Sequence, residues 1–236
     1  MKLEQTCPVC GGTEALYQTV LWPALVVGWG LTPFEEALIN RREGVCCSGC
    51  GCSLRTQGLA AAMLDAIGYP ASLTRYAASP WGRELKCLSI NTAGGWLKPD
   101  GLTDILKTMP GHVLACYPEH DMQALKFPDG MFAVVLHSDT LEHVANPVQG
   151  LMECRRVLAP GGRCLFTVPE LPGKLSRSRE YLTPVYHANP TGARGDVVHT
   201  DFGADAWRYA MDAGFRKVTL RAFDWPAALA WECIKE

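Results

Sequence analysis

Hydrophobic residues in the second half of the chain form short runs that alternate with amphipathic segments. The short apolar runs predict strands at 87–90, 112–116, 132–136 and 163–168. Apolar residues recur every three or four positions at 102–109 and 147–158, which predicts helices there. Asn146 and Pro147 suit the cap and first turn of the second helix. This alternation predicts a mostly parallel sheet covered by helices, an α/β fold whose ligands lie beyond the carboxyl ends of the strands.

The first half of the chain has a different pattern. Its most apolar run, 20–31, is interrupted by Pro23 and two glycines and is too short to cross a bilayer. We therefore expect this run to form a strand or a buried loop. An acidic helical turn around Glu35 and Glu36 is expected to follow it. Segment 54–67 is rich in Ala and Leu at helical spacing and ends at Gly68, which predicts a helix. The predicted organisation is a small module at 1–53, a helix and linker at 54–83, and a sheet domain at 84–236.

Composition narrows the function classes. The chain has 236 residues, 48% of them hydrophobic and 19% charged, with a formal net charge of −2. This is typical of a globular protein and argues against a large nucleic-acid-binding surface, which needs clustered Lys and Arg. The start of the chain shows no basic segment followed by an apolar core, so we expect a cytoplasmic protein with reduced thiols.

Cysteine is the compositional outlier, and its positions matter more than its number. Six of the eleven cysteines lie before residue 53, including two CxxCG motifs. Each motif turns two thiolates toward one ion, so together they predict a closed tetrahedral site for structural zinc, with unpaired thiols or an iron–sulfur site as alternatives. The predicted ligands are Cys7, Cys10, Cys47 and Cys50. Cys46 and Cys52 flank the second motif and leave the fourth ligand open.

One block of the sheet domain resembles a known family. Residues 121–169 carry the patterns D-x-x-x-L-x-F-x-D, L-E-H-V and R-V-L-x-P-G-G around a buried strand. This block is similar to the centre of S-adenosylmethionine-dependent methyltransferases with the Rossmann-like fold. The resemblance implies a sheet with helices on both faces, preceded here by a zinc-ribbon module, and S-adenosylmethionine as cofactor.

The rest of the chain is similar to a subgroup with an N-terminal zinc ribbon. Its segments appear as YHANP at 186–190, DFGAD at 201–205 and AGF at 213–215. The resemblance also implies an antiparallel hairpin that includes a strand at 217–223. For function it implies methyl transfer to O or N of a small molecule or glycan. The charge balance disfavours nucleic acid as a partner, and the shortness of the most apolar run disfavours a membrane. A homo-oligomer or a homologous partner is left open.

The resemblance also implies roles for individual residues. Asp121 would bind the adenine amino group and the Met122 N–H a ring nitrogen, although Asp121 is also suited to capping a turn. His137 and Ser138 would lie beside the methyl donor. The candidate bases are His187, His199 and Asp139. Glu142 and His143 follow the same strand but are interpreted as structural residues of the helix entry.

The sequence departs from the family pattern at the cofactor loop. The family has an acidic residue and three glycines after its first strand, whereas here the predicted cofactor-binding residues are Asn91, Ala93, Gly94 and Gly95, with no carboxylate. The segment after the second strand lacks the usual helix and strand, so the ribose carboxylate is assigned to Glu119. Ala133 replaces the Asp of the F-D pair. These departures keep two alternatives: a catalytically weakened binding or scaffold protein and, less favoured, an RNA methyltransferase.

Overall fold

The N-terminal part combines a small ribbon with two helices. The structure, a computed structural model, describes residues 1–94, 101–186 and 197–236. Strands β1 (Ala15–Tyr17) and β2 (Val45–Cys47) pair antiparallel. Between them lie helices α1 (Pro23–Gly28) and α2 (Pro33–Gly44).

The expectation of a strand or buried loop at 20–31 was wrong. Pro23 lies in the first turn of α1, where its fixed φ favours a helix, and α1 contains no buried residue. The acidic turn that follows is a full helix, because Thr32 and Glu35 form a reciprocal capping box at the start of α2. The ribbon is therefore built from the strands beside the cysteine motifs and not from the apolar run.

Three helices connect the ribbon to the sheet. They are α3 (Leu54–Ile67), α4 (Leu73–Ala78) and α5 (Pro80–Glu84). The predicted helix at 54–67 is confirmed, with Ser53 capping its start and Gly68 ending it at a φ of 70°. Helix α3 packs on the sheet so closely that a Cβ added at Gly58 would lie 3.3 Å from the Ala228 side chain.

A six-stranded sheet forms the centre of the molecule. Its strands are β3 (Cys87–Ile90), β4 (His112–Ala115), β5 (Phe132–Ser138), β6 (Leu158–Thr167), β9 (Lys217–Asp224) and β10 (Ala228–Ile234). The order is β4-β3-β5-β6-β10-β9, with the first four strands parallel and β10 antiparallel to both neighbours. The remaining elements are α6 (Gly101–Leu106), α7 (Pro147–Val157), α8 (Trp207–Asp212) and the pair β7 (Arg177–Ser178) and β8 (Thr200–Asp201).

The predicted α/β architecture is confirmed, including the hairpin at the end of the chain. Asn146 caps α7 by accepting a hydrogen bond from the Gln149 N–H at 3.1 Å. Between β4 and β5 the described chain forms no further strand, only a single 3-10 turn at Met122–Ala124. The shortened connection expected from the sequence is therefore present.

Each face of the sheet carries its own core. Helices α7 and α8 cover one face, over side chains such as Val135 and Phe166. Helices α3 and α6 cover the other, and its core extends from Leu136 to Cys7 and Val9 of the N-terminal part. The ribbon is therefore packed onto the sheet. None of the helices in the described residues is long and apolar enough to span a membrane.

Candidate functional site

The carboxyl edge of the parallel strands contains a topological switch point. From β3 the chain crosses to β4 on one side and then returns to β5 on the other side of β3. A crevice opens at such a point, because the two connections leave the edge in opposite directions. The turn 91–94 follows β3, Asp121 follows β4, and Ser138 with Asp139 ends β5.

The turn after β3 has two residues in the left-handed region. Asn91 has a φ of 58°, and its Oδ1 accepts a hydrogen bond from the Tyr117 N–H at 3.0 Å. Gly94 has a φ of 65°, and, its two chain neighbours aside, no atom of the described residues lies within 4 Å of the place where a Cβ would stand. The Ala93 N–H donates to Thr103 Oγ1 at 3.3 Å, which joins the turn to α6. Gly95 lies outside the described residues.

Asp121 begins the 3-10 turn after β4. Its Oδ1 accepts a hydrogen bond from the Gln123 N–H at 2.8 Å, so it caps the turn. Met122 is buried and is the first residue of the turn, where a backbone N–H has no acceptor within the turn itself. Glu119 is exposed, and its carbonyl oxygen accepts a hydrogen bond from Lys126 Nζ at 3.1 Å.

A buried arginine, which is not among the site residues predicted from the sequence, contacts both sides of the crevice. Arg55, in the first turn of α3, donates from Nη1 to Ser138 Oγ at 2.6 Å and to the Ala93 carbonyl oxygen at 2.8 Å. Its Nε lies 3.3 Å from Asp139 Oδ2. The guanidinium therefore connects the end of β5 with the turn after β3. The available signal was the polar run of Arg55, Thr56 and Gln57 in an otherwise apolar helix.

Glu43 holds this arginine from the N-terminal side. Its carboxylate accepts hydrogen bonds from Arg55 Nε at 2.9 Å and from Arg42 Nε at 3.0 Å. Burial raises the pKa of Glu43, but the charges of the two guanidiniums outweigh burial and hold that pKa below its ordinary value. Glu43 is thus an ionised carboxylate between two buried cations.

Asp139 is fixed in the same network. Its backbone has a φ of 42°, and its Oδ1 accepts a hydrogen bond from Thr167 Oγ1 at 2.9 Å. Thr167 Oγ1 also lies 2.8 Å from Ser138 Oγ. The ends of β5 and β6 are therefore joined by side chains as well as by the strand ladder.

Two further carboxyl groups near the crevice carry raised pKa values. Burial, reinforced by the charge of Asp139, raises the pKa of Glu142 well above its ordinary value, and its Oε2 has no partner among the described residues. Burial raises the pKa of Glu170 to about 7, although its Oε2 accepts a hydrogen bond from Trp231 Nε1 at 2.8 Å. Both groups hold protons far more readily than an exposed carboxyl.

The histidines differ in what they contact. His199 lies beside Glu142, and its backbone N–H donates to the Glu142 carbonyl oxygen at 2.7 Å. The His143 Nδ1 lies 3.0 Å from the Val197 carbonyl oxygen, as in a structural contact between segments. His187 lies outside the described residues.

His137 lies on the face of β5 opposite to the one that carries Ser138. Its ring stacks on Phe166 at 4.9 Å, and burial lowers its pKa to about 3. Cys154 and Cys164 lie near the ring, and neither ring nitrogen has a partner among the described residues. A metal-bound histidine normally donates from its second nitrogen, and here that nitrogen would stay without a partner. We therefore interpret the group as core packing.

The four cysteines of the two CxxCG motifs converge. All four sulfurs lie within 4.8 Å of one another. The Cys7 and Cys50 sulfurs are 3.7 Å apart and the Cys10 and Cys47 sulfurs 3.5 Å apart, close to the roughly 3.8 Å between thiolates on a tetrahedral ion with metal–sulfur bonds of about 2.3 Å. Cys46 is directed elsewhere, toward the Glu43 carbonyl oxygen at 3.6 Å. The donor set fits one tetrahedral metal ion.

The two motifs fold in the same way. In each one the N–H of the glycine after the second cysteine bonds to the carbonyl oxygen of the first, at 2.8 Å, and that glycine has a positive φ, 83° at Gly11 and 78° at Gly51. No larger side chain fits at Gly12 without displacement, because a Cβ there would lie 3.2 Å from the Cys47 sulfur.

Comparison with known proteins identifies the sheet domain. A family profile described as a methyltransferase domain matches residues 96–166, a range that includes β4, β5 and α7 and ends within β6. The chain belongs to the S-adenosylmethionine-dependent methyltransferases. A ubiquinone/menaquinone biosynthesis C-methyltransferase, UbiE of Ectopseudomonas mendocina, is 31% identical over an alignment of 177 positions that covers 66% of this chain and 66% of that protein.

Other relatives of this methyltransferase chain match smaller parts or only the fold. An uncharacterised 37.1 kDa protein in transposon TN4556 of Streptomyces fradiae is 34% identical over an alignment of 106 positions that covers 42% of this chain and 29% of that protein. The chain thus spans less than a third of one curated relative and 66% of the other. A methyltransferase structure from Mesorhizobium loti is 15% identical, with a TM-score of 0.42 over 67% of this chain and 94% of that one.

Proposed function

We propose that the chain is an S-adenosylmethionine-dependent methyltransferase that binds its cofactor in the crevice between β3 and β5. The observation that carries the proposal is the placement, at one edge, of the turn after β3, Asp121 after β4, and Ser138 with Asp139 after β5. A nucleoside cofactor needs separate contacts for its base and its amino-acid part. Three successive turns at a switch point supply them.

Each part of the cofactor has a proposed set of contacts. Asp121 would accept a hydrogen bond from the adenine amino group, and the Met122 N–H would donate to a ring nitrogen. Glu119 would bind the ribose hydroxyls. The amino-acid part would contact Asn91, Ala93, Gly94 and Gly95, together with Ser138. His137 is the least favoured of the candidates from the sequence, since its side chain lies on the other face of the sheet.

The bound cofactor supplies an electrophilic methyl group on a sulfonium. The protein must hold an acceptor in line with it and take a proton when the acceptor loses one. His199 and Asp139 are our candidate bases among the described residues, and His187 is a third outside them. Asp139 would have to exchange its contact with Arg55 or Thr167 for the acceptor.

For the acceptor we propose a small molecule methylated at O or N, with a glycan in the same class. The relative from Ectopseudomonas mendocina is named as a C-methyltransferase, which makes carbon the second candidate. The net charge of −2 gives no support to an RNA acceptor.

We propose structural zinc for the four cysteines, since a closed site of four thiolates leaves no position for substrate.

Calorimetry with S-adenosylhomocysteine tests the cofactor proposal directly. We expect saturable binding of one equivalent to metal-loaded protein and competition by S-adenosylmethionine. No binding by folded protein with a full metal complement would refute the enzyme proposal. Binding without methyl transfer to any acceptor in a small-molecule panel would favour the alternative function, a catalytically weakened binding protein. The missing carboxylate in the turn after β3 also favours that alternative.

A further inference from the structure

The second cysteine motif lies between the two charged residues that meet in the crevice. Glu43 precedes Cys47 by one short strand, and Arg55 follows Cys50 in the first turn of α3. The start of that helix is fixed locally, because the Ser53 side chain accepts a hydrogen bond from the Thr56 N–H and Gln57 Nε2 donates to the Cys52 carbonyl oxygen at 2.9 Å. Moving the motif would therefore move Arg55.

The same motif also contacts the segment after the cofactor turn. A Cβ added at Gly101 would clash with the Cys50 carbonyl oxygen, so the start of α6 lies directly against the motif. Thr103, two residues further on, accepts a hydrogen bond from the Ala93 N–H. The Ala93 turn is thus held from two directions, by α6 through its N–H and by Arg55 through its carbonyl oxygen.

These contacts connect the metal site to the cofactor crevice. We propose that Arg55 is a positioning residue for the cofactor turn, and that a metal ion in the four-cysteine cluster holds Arg55 in place. Metal occupancy then sets cofactor affinity through one buried guanidinium. This inference rests on the proposed function for its affinity readout but not for its structural one.

The energetic basis is the cost of moving a buried charge. Arg55 is only 8% exposed, and its guanidinium is paired with Glu43 and Asp139. A buried cation keeps its geometry only while its partners stay in place, because a partial loss of partners leaves charge without solvation. Arg55 therefore takes one position when the motif is ordered and leaves the crevice when the motif is not.

The first experiment keeps the metal and changes the arginine. Metal-loaded Arg55→Ala should bind S-adenosylhomocysteine at least about tenfold more weakly than the parent while keeping one equivalent of metal, and Arg55→Lys should recover part of the loss. The matched control is Arg41→Ala. Arg41 also joins the N-terminal part to the sheet, through two hydrogen bonds to Asp224 at 2.9 and 2.6 Å, but does not contact the crevice.

The second experiment removes the metal from the parent, Arg55→Ala and Arg41→Ala proteins with a chelator. The proposal expects a large loss of affinity in the parent and in Arg41→Ala but little further loss in Arg55→Ala, because two changes that act through one contact are not additive. Hydrogen exchange without cofactor gives the structural readout. Chelation should speed exchange of the Ala93 and Asp139 amides in the parent.

Each outcome decides between the alternatives. Equal affinity of Arg55→Ala and the parent, or additive effects of chelation and Arg55→Ala, would overturn the coupling while leaving the methyltransferase proposal intact. If chelation sped exchange of amides throughout the sheet as much as it sped exchange of the Ala93 and Asp139 amides, the coupling would also be overturned, since the metal would then act through global stability alone. Failure of the metal-loaded parent to bind cofactor, with the exchange effect present, would count against the enzyme proposal alone.

Discussion

The cysteine cluster and the crevice proposed for the cofactor lie close together but are built in opposite ways. The cluster comes from two short motifs that fold alike, and each motif supplies two sulfurs from a single turn. The crevice is formed by the turns after β3 and β5, and Arg55 of α3 bonds to both of them. Spacing along the chain determines the first site, whereas packing between distant segments determines the second.

The largest expected effect on stability comes from replacing a cysteine that binds the metal, compared with replacing a neighbouring cysteine that does not. Cys47→Ser removes a sulfur from the cluster and should lower the free energy of unfolding by at least about 5 kcal/mol, because metal binding and folding are coupled in such modules. Cys46→Ser is the control, since Cys46 is equally buried but contacts the Glu43 carbonyl oxygen. Urea unfolding with metal analysis by mass spectrometry measures both quantities.

The contrast between these adjacent residues is the test of the cluster. We expect less than half an equivalent of metal in Cys47→Ser and a full equivalent in Cys46→Ser. A folded parent protein with no bound metal after purification would contradict the metal site itself. If Cys46→Ser lost the metal and Cys47→Ser kept it, Cys46 would be the metal ligand in place of Cys47.

The next effect tests whether the crevice is a buried network or a set of surface ion pairs. Glu43→Ala leaves Arg42 and Arg55 without their shared carboxylate and should cost about 3 to 4 kcal/mol, as expected for breaking a buried pair. Glu43→Gln keeps the size and one acceptor oxygen, so its cost should be roughly half. Urea unfolding of the two variants gives the comparison. A loss below about 1 kcal/mol in Glu43→Ala would match a surface pair instead.

Local pattern was enough to predict most of the sheet. Strands β3 and β5 are buried apolar runs, and α7 begins where Asn146 and Pro147 indicate. The failure at 20–31 has a local cause too. Apolar residues there suggested burial, but Pro23 starts a helix whose Val27 is 81% exposed. Hydrophobicity indicated a buried segment where backbone preference and packing decided otherwise.

The crevice could be predicted only in part. Residues at or beyond the carboxyl ends of strands follow from the alternation of strands and helices and from the family resemblance. Examples are Ser138 at the end of β5 and Asp121 in the connection after β4. The role of Arg55 could not be predicted in this way. Its partners Ser138 and Asp139 are more than eighty positions away, and its partner Glu43 lies on another helix. No periodicity in the sequence encodes a contact between α3 and the end of β5.

A smaller effect is the pH dependence of stability that the Glu170 carboxyl causes near the crevice. It should not change metal binding by the cysteine cluster. Glu170 has an ordinary pKa of 4.5, and burial raises it to about 7, with Arg42 and Asp139 as the charges nearest to it. Between these values the folded state binds more protons than the unfolded state, so Glu170 makes stability fall as pH rises from about 4.5 to 7. Glu170→Gln removes that decline and can still accept a hydrogen bond from Trp231 Nε1.

The measurement is the difference in free energy of unfolding between Glu170→Gln and the parent. This difference should grow in favour of the variant by roughly 2 kcal/mol from pH 5 to pH 8, with most of the change below pH 7. Metal content should be the same in both proteins. A difference that does not vary with pH would show that Glu170 titrates as an exposed carboxyl does.

The smallest effect distinguishes a cap from a ligand contact at Asp121. Asp121→Ala should weaken S-adenosylhomocysteine binding about tenfold, or about 1.4 kcal/mol, and leave metal content unchanged. Asp121→Asn keeps one acceptor oxygen, which suffices for the Gln123 N–H, but it replaces the second oxygen with an NH2 donor, so its affinity should lie between those of the parent and Asp121→Ala. Asp129→Ala removes an exposed acid paired with Arg156 and serves as the control for lost charge. If Asp121→Ala lowers the melting temperature but binds as tightly as Asp129→Ala, Asp121 is a cap only, and the base of the cofactor must be recognised elsewhere along the crevice.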